Sequence, residues 1–376
     1  MIVDIYTDSK AYSSVCYDYW SIDNSKKFIF TVSDICKEHK IEYTALCKIV
    51  SKYSAVFLKS NPCLICNKMY KVKKRSEFKS YKPMKNWICD DCKIDLEFNK
   101  IAKFRNTLLN NYHSCAENKV NIDELGFRDL VFLLSMIRCF AAENFSCMHS
   151  YNSILSSRFS PCAKFDIEII TYLYREKLIA INPASSIYAF DISDDNNYKF
   201  DIKLVEWEFV YFYDMSSPSE IVDCIESKLR NNEICKKHHD EILSVVKEIS
   251  LNECLGYLEY ISKKHDLSFI PGKKTFLTLN RILDDLSVAQ IYNIIWGATR
   301  DAAAFFMRGG VNRLHAANSI VGRIQRVFDR AQANDWAIKP FQRNYDLPQS
   351  VLSQVVFNTC LRTDDGGFSE PFWKLI

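Results

Sequence analysis

Four cysteines in the first hundred residues are spaced as ligands of a single metal ion. Cys63 and Cys66 form one pair, Cys89 and Cys92 form a second, and twenty-two residues separate the two pairs. Two Cys-X-X-Cys pairs at such a separation can close four thiolates around one tetrahedral zinc ion. We therefore predict one structural Zn²⁺ site formed by these four residues. The alternative is that they are reduced thiols, buried as small apolar side chains in a chain with fifteen cysteines.

The segment between the two pairs is strongly basic and carries interspersed aromatic residues. Its cations are Lys68, Lys71, Lys73, Lys74, Arg75, Lys79, Lys82 and Lys85, and its one acid is Glu77. Its aromatic residues are Tyr70, Phe78, Tyr81 and Trp87. Cations with aromatic neighbours are typical of surfaces that contact the phosphates and bases of nucleic acid. The predicted nucleic-acid contacts in this segment are Lys71, Lys73, Lys74, Arg75 and Lys79. The alternatives are that the cations form a solvated face and that some of the aromatic residues pack against the metal site.

Residues 30–50 carry the pattern of two short amphipathic helices joined by a tight turn. Thr31 or Ser33 would cap the first helix, and Thr44 would cap the second. The positions that we expect to face the partner helix, the turn or the core are Ile35, Cys36, Ile41, Leu46, Ile49 and Val50. This pattern resembles the helix-turn-helix of bacterial DNA-binding proteins. It departs from that pattern at Lys40, where glycine is preferred because the turn has a left-handed backbone conformation.

The resemblance implies that the second helix of this pair lies in the major groove of duplex DNA. The residues expected to face outward are Glu42, Tyr43, Ala45, Lys48 and Lys52. Among them, Tyr43, Lys48 and Lys52 are the predicted contacts with nucleic acid. The alternative is an ordinary helical hairpin, because amphipathic helix pairs are common.

The composition indicates a mainly α, multidomain protein. Only nine glycines and nine prolines occur in 376 residues, so a fold with many tight turns is disfavoured. The predicted segments are a helix-turn-helix-like domain at 1–58, a zinc ribbon at 59–96, a helical, winged-helix-like domain at 97–200, connecting helices at 201–248 and a C-terminal helical domain at 249–376. The winged-helix expectation rests on a helix at 166–176 that a strand–turn–strand hairpin follows at 178–190.

Charge and apolar patterning indicate a cytoplasmic protein without membrane contact. The net charge is only +3, so any basic surface must be local. No apolar run reaches the roughly 18 residues that a membrane helix needs, and the N-terminus lacks the regions of a secretory signal. Fifteen cysteines, four of them spaced for zinc, favour reduced thiols over a disulfide scaffold.

The chain changes composition near residue 288. Before this point it has 31 lysines and 8 arginines, and after it 2 lysines and 8 arginines. Arg313, Arg323, Arg326 and Arg330 lie in one predicted helix, where spacings of three and four residues could form a cationic stripe. Pairing of these arginines with acids of the same domain is the favoured interpretation. The carboxylates that could hold Mg²⁺ in this domain are Asp284, Asp285, Asp364 and Asp365.

These patterns favour a zinc-containing nucleic-acid-binding protein, and within that class a bacterial DNA-binding regulator or DNA-associated accessory protein. Duplex DNA is the expected partner, and the C-terminal helical domain could bind a further protein or a second copy of the chain. Two other classes stay open. One is a metal-dependent enzyme that processes nucleic acid with carboxylates of the C-terminal domain. The other is a protein-interaction accessory factor of a mobile-element or phage-defence locus.

Overall fold

The chain folds into two units, each of which has its own hydrophobic core. The computed structural model describes residues 1–82, 86–117, 119–154, 158–193, 197–210, 212, 217–363 and 367–375. The two compact units are Met1–Lys103 and Phe104–Ile376. Helices dominate the secondary structure, which confirms the prediction of a mainly α protein. No helix of the described residues combines the length and the apolar character needed to cross a lipid bilayer.

The first unit places three helices against a three-stranded sheet. Its elements are β1 (Ile2–Ile5), α1 (Lys10–Trp20), α2 (Val32–Glu38), α3 (Tyr43–Tyr53), β2 (Ser54–Pro62), β3 (Met69–Val72), α4 (Arg75–Ser80) and the start of α5 (Asp90–Glu117). The strand β2 is central and antiparallel to both neighbours, and its Val56 lies opposite Val3 and Val72. Val56 is fully buried and packs in one core with Ile35 and Leu46 of the helices. The predicted helix pair and both cysteine pairs therefore belong to the same unit.

The second unit is mostly helical, with two small antiparallel sheets. Its elements are α6 (Phe127–Phe140), α7 (Ala163–Arg175), β4 (Ile179–Ile181), β5 (Phe190–Ile192), β6 (Tyr198–Phe200), β7 (Trp207–Phe209), α8 (Pro218–Arg230), α9 (Asn232–Lys237), α10 (His239–Lys264), α11 (Lys273–Leu283), α12 (Val288–Met307), α13 (Arg313–Ala333) and α14 (Val351–Ser353). A π-helical segment, Gln354–Cys360, continues from α14. The rings of Tyr257 in α10 and Tyr292 in α12 stack with their centroids 3.8 Å apart in the core.

The prediction of a strand–turn–strand hairpin at 178–190 is wrong. β4 pairs with β7, where Ile181 lies opposite Trp207, while β5 pairs with β6. All three residues of β4 are buried. Such a strand needs an apolar partner, and β7 supplies Trp207 and Phe209, both of which are buried. The winged-helix expectation for residues 97–200 therefore loses the hairpin on which it depended.

Candidate metal centre and nucleic-acid interface

The first cysteine pair lies in the tight connection between β2 and β3. Cys63 follows the last residue of β2, and its backbone N–H donates a hydrogen bond of 2.8 Å to the carbonyl oxygen of Lys68. The N–H of Asn67 returns to the carbonyl oxygen of Cys63 at 3.0 Å, and Asn67 has a φ of 57°. These contacts close a turn that holds Cys63 and Cys66 next to each other.

The second cysteine pair lies at the start of α5. Cys89 directly precedes this helix, and Cys92 belongs to its first turn. Two contacts join the pairs: the N–H of Leu64 donates to the carbonyl oxygen of Trp87 at 3.1 Å, and the N–H of Cys89 donates to Sγ of Cys63 at 3.3 Å. The start of α5 therefore brings the second pair to the turn that holds the first.

The four sulfur atoms are arranged as a metal site. The Sγ atoms of Cys63, Cys66, Cys89 and Cys92 all lie within 4.8 Å of one another, and those of Cys66 and Cys89 are 3.6 Å apart. Four thiolates about 2.3 Å from a tetrahedral zinc ion would be separated by roughly 3.8 Å. A disulfide would require a distance of about 2.05 Å. The four predicted ligands are therefore close enough to bind one metal ion.

Burial and hydrogen bonding shift the pKa values of Cys63 and Cys92 in opposite directions. Burial acts to raise the pKa of Cys63, but backbone N–H groups of Cys66, Cys89 and Ile65 donate to its sulfur and lower that pKa to about 6. The pKa of Cys92 is raised, because its thiol shares a hydrogen bond with Cys66 and is buried. Cys63 thus forms a thiolate readily, whereas the raised pKa values of Cys89 and Cys92 favour the protonated thiols. Metal binding to all four sulfurs must therefore release protons.

The helix pair expected at 30–50 is formed by α2 and α3. Thr31 caps α2, since its side chain accepts from the N–H of Asp34 while the Asp34 carboxylate accepts from the N–H of Thr31. Lys40 has the left-handed conformation predicted for the turn, with a φ of 50°. Ile35 and Leu46 are completely buried between the helices and the sheet. The predicted Thr44 cap is wrong, because α3 begins at Tyr43 and its N-cap position is Glu42, two residues before Thr44.

The outer face of α3 carries the three predicted contact residues. Tyr43 is 63% exposed, and Lys48 and Lys52 are also exposed. The sequence interpretation missed Thr44, Cys47 and Ser51, which are exposed on the same helix. The spacing from the buried Leu46 could have identified Thr44 and Ser51, because a residue two or five positions from a buried one on a helix lies on the opposite side. Cys47 lies only one residue from Leu46 and three from Val50, so this spacing gives no such signal for it.

The basic segment divides into exposed lysines and one buried arginine. The exposed predicted residues are Lys71, Lys73, Lys74 and Lys79. Arg75 is only 8% exposed, and its guanidinium donates to the carbonyl oxygens of Tyr19 at 2.5 Å, Phe30 at 2.7 Å and Asp18 at 3.2 Å. It also lies over the rings of Tyr19 and Phe28. The prediction that Arg75 contacts nucleic acid is wrong, because its guanidinium is buried and donates to three backbone carbonyls inside the protein.

The aromatic residues of the basic segment pack within the first unit. The ring centroid of Tyr70 lies 5.2 Å from that of Tyr81 and 5.1 Å from that of Trp87. The ring centroid of Phe78 lies 5.6 Å from that of Phe28. The Tyr70 hydroxyl donates to the carboxylate of Glu77 at 2.6 Å, which accounts for the single acid of the segment. Packing rather than an exposed stacking surface therefore describes these four rings, as one alternative anticipated.

The described carboxylates of the C-terminal region do not form a metal site. Asp284 pairs with Lys247 at 2.5 Å, and Asp285 accepts from the side-chain amide of Gln332 at 2.8 Å. Asp364 and Asp365 lie outside the described residues. Within the part of the chain that the structure describes, the ligand groups of suitable geometry are the four cysteines and a surface group, Asp18, Glu38 and His39. In the latter, Nε2 of His39 already contacts Oδ2 of Asp18 at 2.8 Å.

Comparison of the chain with protein-family models, with curated proteins and with solved structures finds no match. The functional conclusion therefore depends on the geometry of the chain itself.

Proposed function

We propose that the protein is a zinc-containing nucleic-acid-binding protein that contacts duplex DNA through α3. The observation that carries this proposal is the pair α2 and α3, which combines a left-handed turn at Lys40, a buried seam and an exposed outer face with Lys48 and Lys52. An α-helix fits the major groove of B-DNA, which is about 12 Å wide. α3 has eleven residues and is therefore about 16 Å long.

The residues of the interface have different proposed roles. Lys48 and Lys52 contribute salt-dependent affinity by displacing counterions from phosphates. Tyr43 lies at the N-terminal end of α3, the end from which a recognition helix reads base edges, and supplies sequence preference. Lys73 and Lys74, which precede α4, add phosphate contacts from the same unit. A bacterial regulator or DNA-associated accessory protein is the class that this arrangement fits best.

The proposed metal is zinc, and its proposed role is structural. Four thiolates in tetrahedral geometry select zinc over oxygen-preferring cations such as Mg²⁺. The buried cluster around the cysteines is small: only Trp87 and Ile88 pack against Cys63, Cys89 and Cys92 among the described residues. Since so little apolar surface is buried there, the metal–thiolate bonds must supply most of the local folding free energy.

Binding to labelled DNA across a salt series tests this proposal. Full-length wild type and a Lys48→Gln/Lys52→Gln variant are compared by fluorescence anisotropy on a 20-base-pair duplex between 0.05 and 0.3 M salt. Removal of two phosphate contacts is expected to reduce the slope of log K against log salt by about 2. Lys10→Gln/Lys27→Gln is the matched control, since both lysines are exposed in the same unit. Equal slopes for wild type and the α3 variant would refute the role of α3.

One observation favours protein binding as a second candidate function. Leu64 and Ile65, at the tip of the first cysteine turn, are 61% and 51% exposed. Adjacent exposed aliphatic side chains on a rigid turn are typical of a protein contact. If wild type fails to bind duplex DNA at 0.05 M salt, this second function replaces the first.

A further inference from the structure

The helical hairpin formed by α12 and α13 in the second unit has a long stretch without acids. Residues 302–328 contain no aspartate or glutamate but four arginines. The two helices pack against each other, and the turn between them contains Gly309 and Gly310, whose φ values are 81° and 83°. Because this conformation favours glycine, a tight turn brings the end of α12 to the start of α13. The surface of the hairpin is therefore basic over most of its length.

Three arginines of α13 lie on one side of the helix. Arg323, Arg326 and Arg330 fall within an arc of about 60° when each residue advances by about 100°. They span about 10 Å along the helix axis, since each residue rises by about 1.5 Å. Phosphates of one DNA strand are spaced about 3.4 Å apart along the duplex axis. The three side chains can therefore reach several phosphates of one backbone.

These arginines are not neutralised by acids. Within the described residues, Arg323, Arg326 and Arg330 are in no ion pair. Asp329, the nearest acid in sequence, pairs with Arg281 at 3.3 Å, and no ion pair of the described residues joins Asp335 to these arginines. Pairing within the domain, the interpretation that the sequence favoured, therefore does not describe the three stripe arginines.

The contacts that the arginines do make position them without using their full donor capacity. Nε of Arg323 donates to Oγ of Ser319 at 3.1 Å, and Nε of Arg326 donates to the carbonyl oxygen of Gly322 at 3.1 Å. Arg323 also lies over the ring of Phe305. In the described structure, the terminal guanidinium nitrogens of these two residues have no protein acceptor and can bind one from a partner.

Gly322, next to these arginines in α13, supports the close approach of a partner to this face. Gly322 lies inside α13, where glycine costs about 1 kcal/mol relative to alanine. A Cβ built at this position would meet no described atom within 4 Å, so internal packing does not require glycine there. The missing side chain leaves room for the backbone of a partner at the edge of the face that carries Arg323 and Arg326.

We propose that the face of α13 with Arg323, Arg326 and Arg330 binds the phosphate backbone of nucleic acid. Guanidinium groups match pairs of phosphate oxygens in geometry and charge. This surface belongs to the second unit, and it shares its class of partner with the function proposed for α3 in the first. The two can be tested separately because no residue is common to both.

The test is anisotropy of a full-length Arg323→Gln/Arg326→Gln/Arg330→Gln variant on the same 20-base-pair duplex. Loss of three phosphate contacts should reduce the salt slope by about 3 and weaken binding at 0.1 M salt by about 10²- to 10³-fold. The matched control is Lys177→Gln/Lys199→Gln/Lys203→Gln, which removes the same charge from exposed positions of the same unit. Replacement of the three arginines by lysine should retain most of the slope, which distinguishes loss of charge from misfolding.

The outcomes separate this inference from the proposed function. The inference would be overturned if the Arg323→Gln/Arg326→Gln/Arg330→Gln variant keeps the wild-type salt slope. It would also be overturned if the Lys177→Gln/Lys199→Gln/Lys203→Gln control loses as much of the salt slope. Binding of wild type to vesicles with one-third phosphatidylserine, but not to duplex, would also overturn it and assign the face to a membrane surface. If only the arginine variant loses affinity, the inference is supported and the role of α3 fails. If only the Lys48→Gln/Lys52→Gln variant loses affinity, the role of α3 is supported and the inference about α13 fails.

Discussion

Arg75 provides a sharp test because the sequence and the structure give it different roles. We expect Arg75→Met to destabilise the first unit strongly while leaving the salt dependence of DNA binding unchanged. Methionine retains the length of the side chain but removes the guanidinium that donates to three backbone carbonyls. The carbonyls come from Asp18, Tyr19 and Phe30, so the change disconnects α4 from the segments around α1 and α2.

The expected loss can be worked from these contacts. A hydrogen bond from a charged donor contributes about 1.5 kcal/mol or more, and a cation over an aromatic ring adds roughly 0.5–1 kcal/mol. Three such bonds and two rings give about 5.5–6.5 kcal/mol, of which solvation of the freed carbonyls returns a part. We therefore expect the free energy of unfolding of the first unit to fall by about 3–5 kcal/mol.

Hydrogen exchange under native conditions measures this loss locally. Amides in α1–α3 report the opening of the first unit, which a global denaturation of a two-unit chain does not isolate. Lys74→Met is the control, because Lys74 is the exposed neighbour of Arg75 and its replacement should change the stability by less than about 0.5 kcal/mol. If Arg75→Met costs less than about 1 kcal/mol and lowers the salt slope by about 1, Arg75 contacts phosphate and the reasoning is refuted.

Three further predictions address the metal, the turn and a buried carboxyl. Chelation, or replacement of Cys92 by serine, should release about one zinc ion per chain and increase amide exchange in the segment between the cysteine pairs, as metal analysis and hydrogen exchange can show. Lys40→Gly should stabilise the first unit by about 1 kcal/mol because the φ of Lys40 is 50°, whereas Lys37→Gly within α2 should destabilise it by a similar amount; an equal effect of both changes would contradict the strain at Lys40. Burial, together with the charge of Glu206, raises the pKa of Glu208 to about 7. Ionisation of this carboxyl above pH 7 therefore destabilises the folded protein. Glu208→Gln should stabilise the protein by about 1 kcal/mol above pH 7 and should have no effect below pH 4, which thermal unfolding across pH can measure.

The features that were predictable from the sequence are those set by neighbouring residues. The spacing of Cys63, Cys66, Cys89 and Cys92 was sufficient to predict their convergence, because each pair is held by a single turn and one short segment joins the pairs. The periodicity of residues 30–50 was sufficient to predict α2, α3 and the residues buried between them, since helical periodicity is a local property.

The features that were not predictable depend on contacts between distant segments. Arg75 lies in a run of exposed lysines, and nothing next to it in the sequence identifies the carbonyls of Asp18 and Phe30, 57 and 45 residues away, as its partners. The partner of β4 is similarly remote, because Ile181 pairs with Trp207 across two other strands of the sequence. An apolar strand indicates that it needs a partner but not which one.

The central strand β2 joins the candidate metal centre to the candidate DNA-binding helix. It begins directly after α3 and ends directly before Cys63. A single strand therefore fixes the position of α3 relative to the first cysteine pair. Arg75 makes a second connection, since it follows β3 and bonds to the segments around α1 and α2. The aromatic rings of the segment between the two cysteine pairs are packed, and Arg75 is buried. Few side chains of this segment are therefore left to contact bases. We therefore expect the metal ion to support nucleic-acid binding indirectly, by stabilising the unit that presents α3.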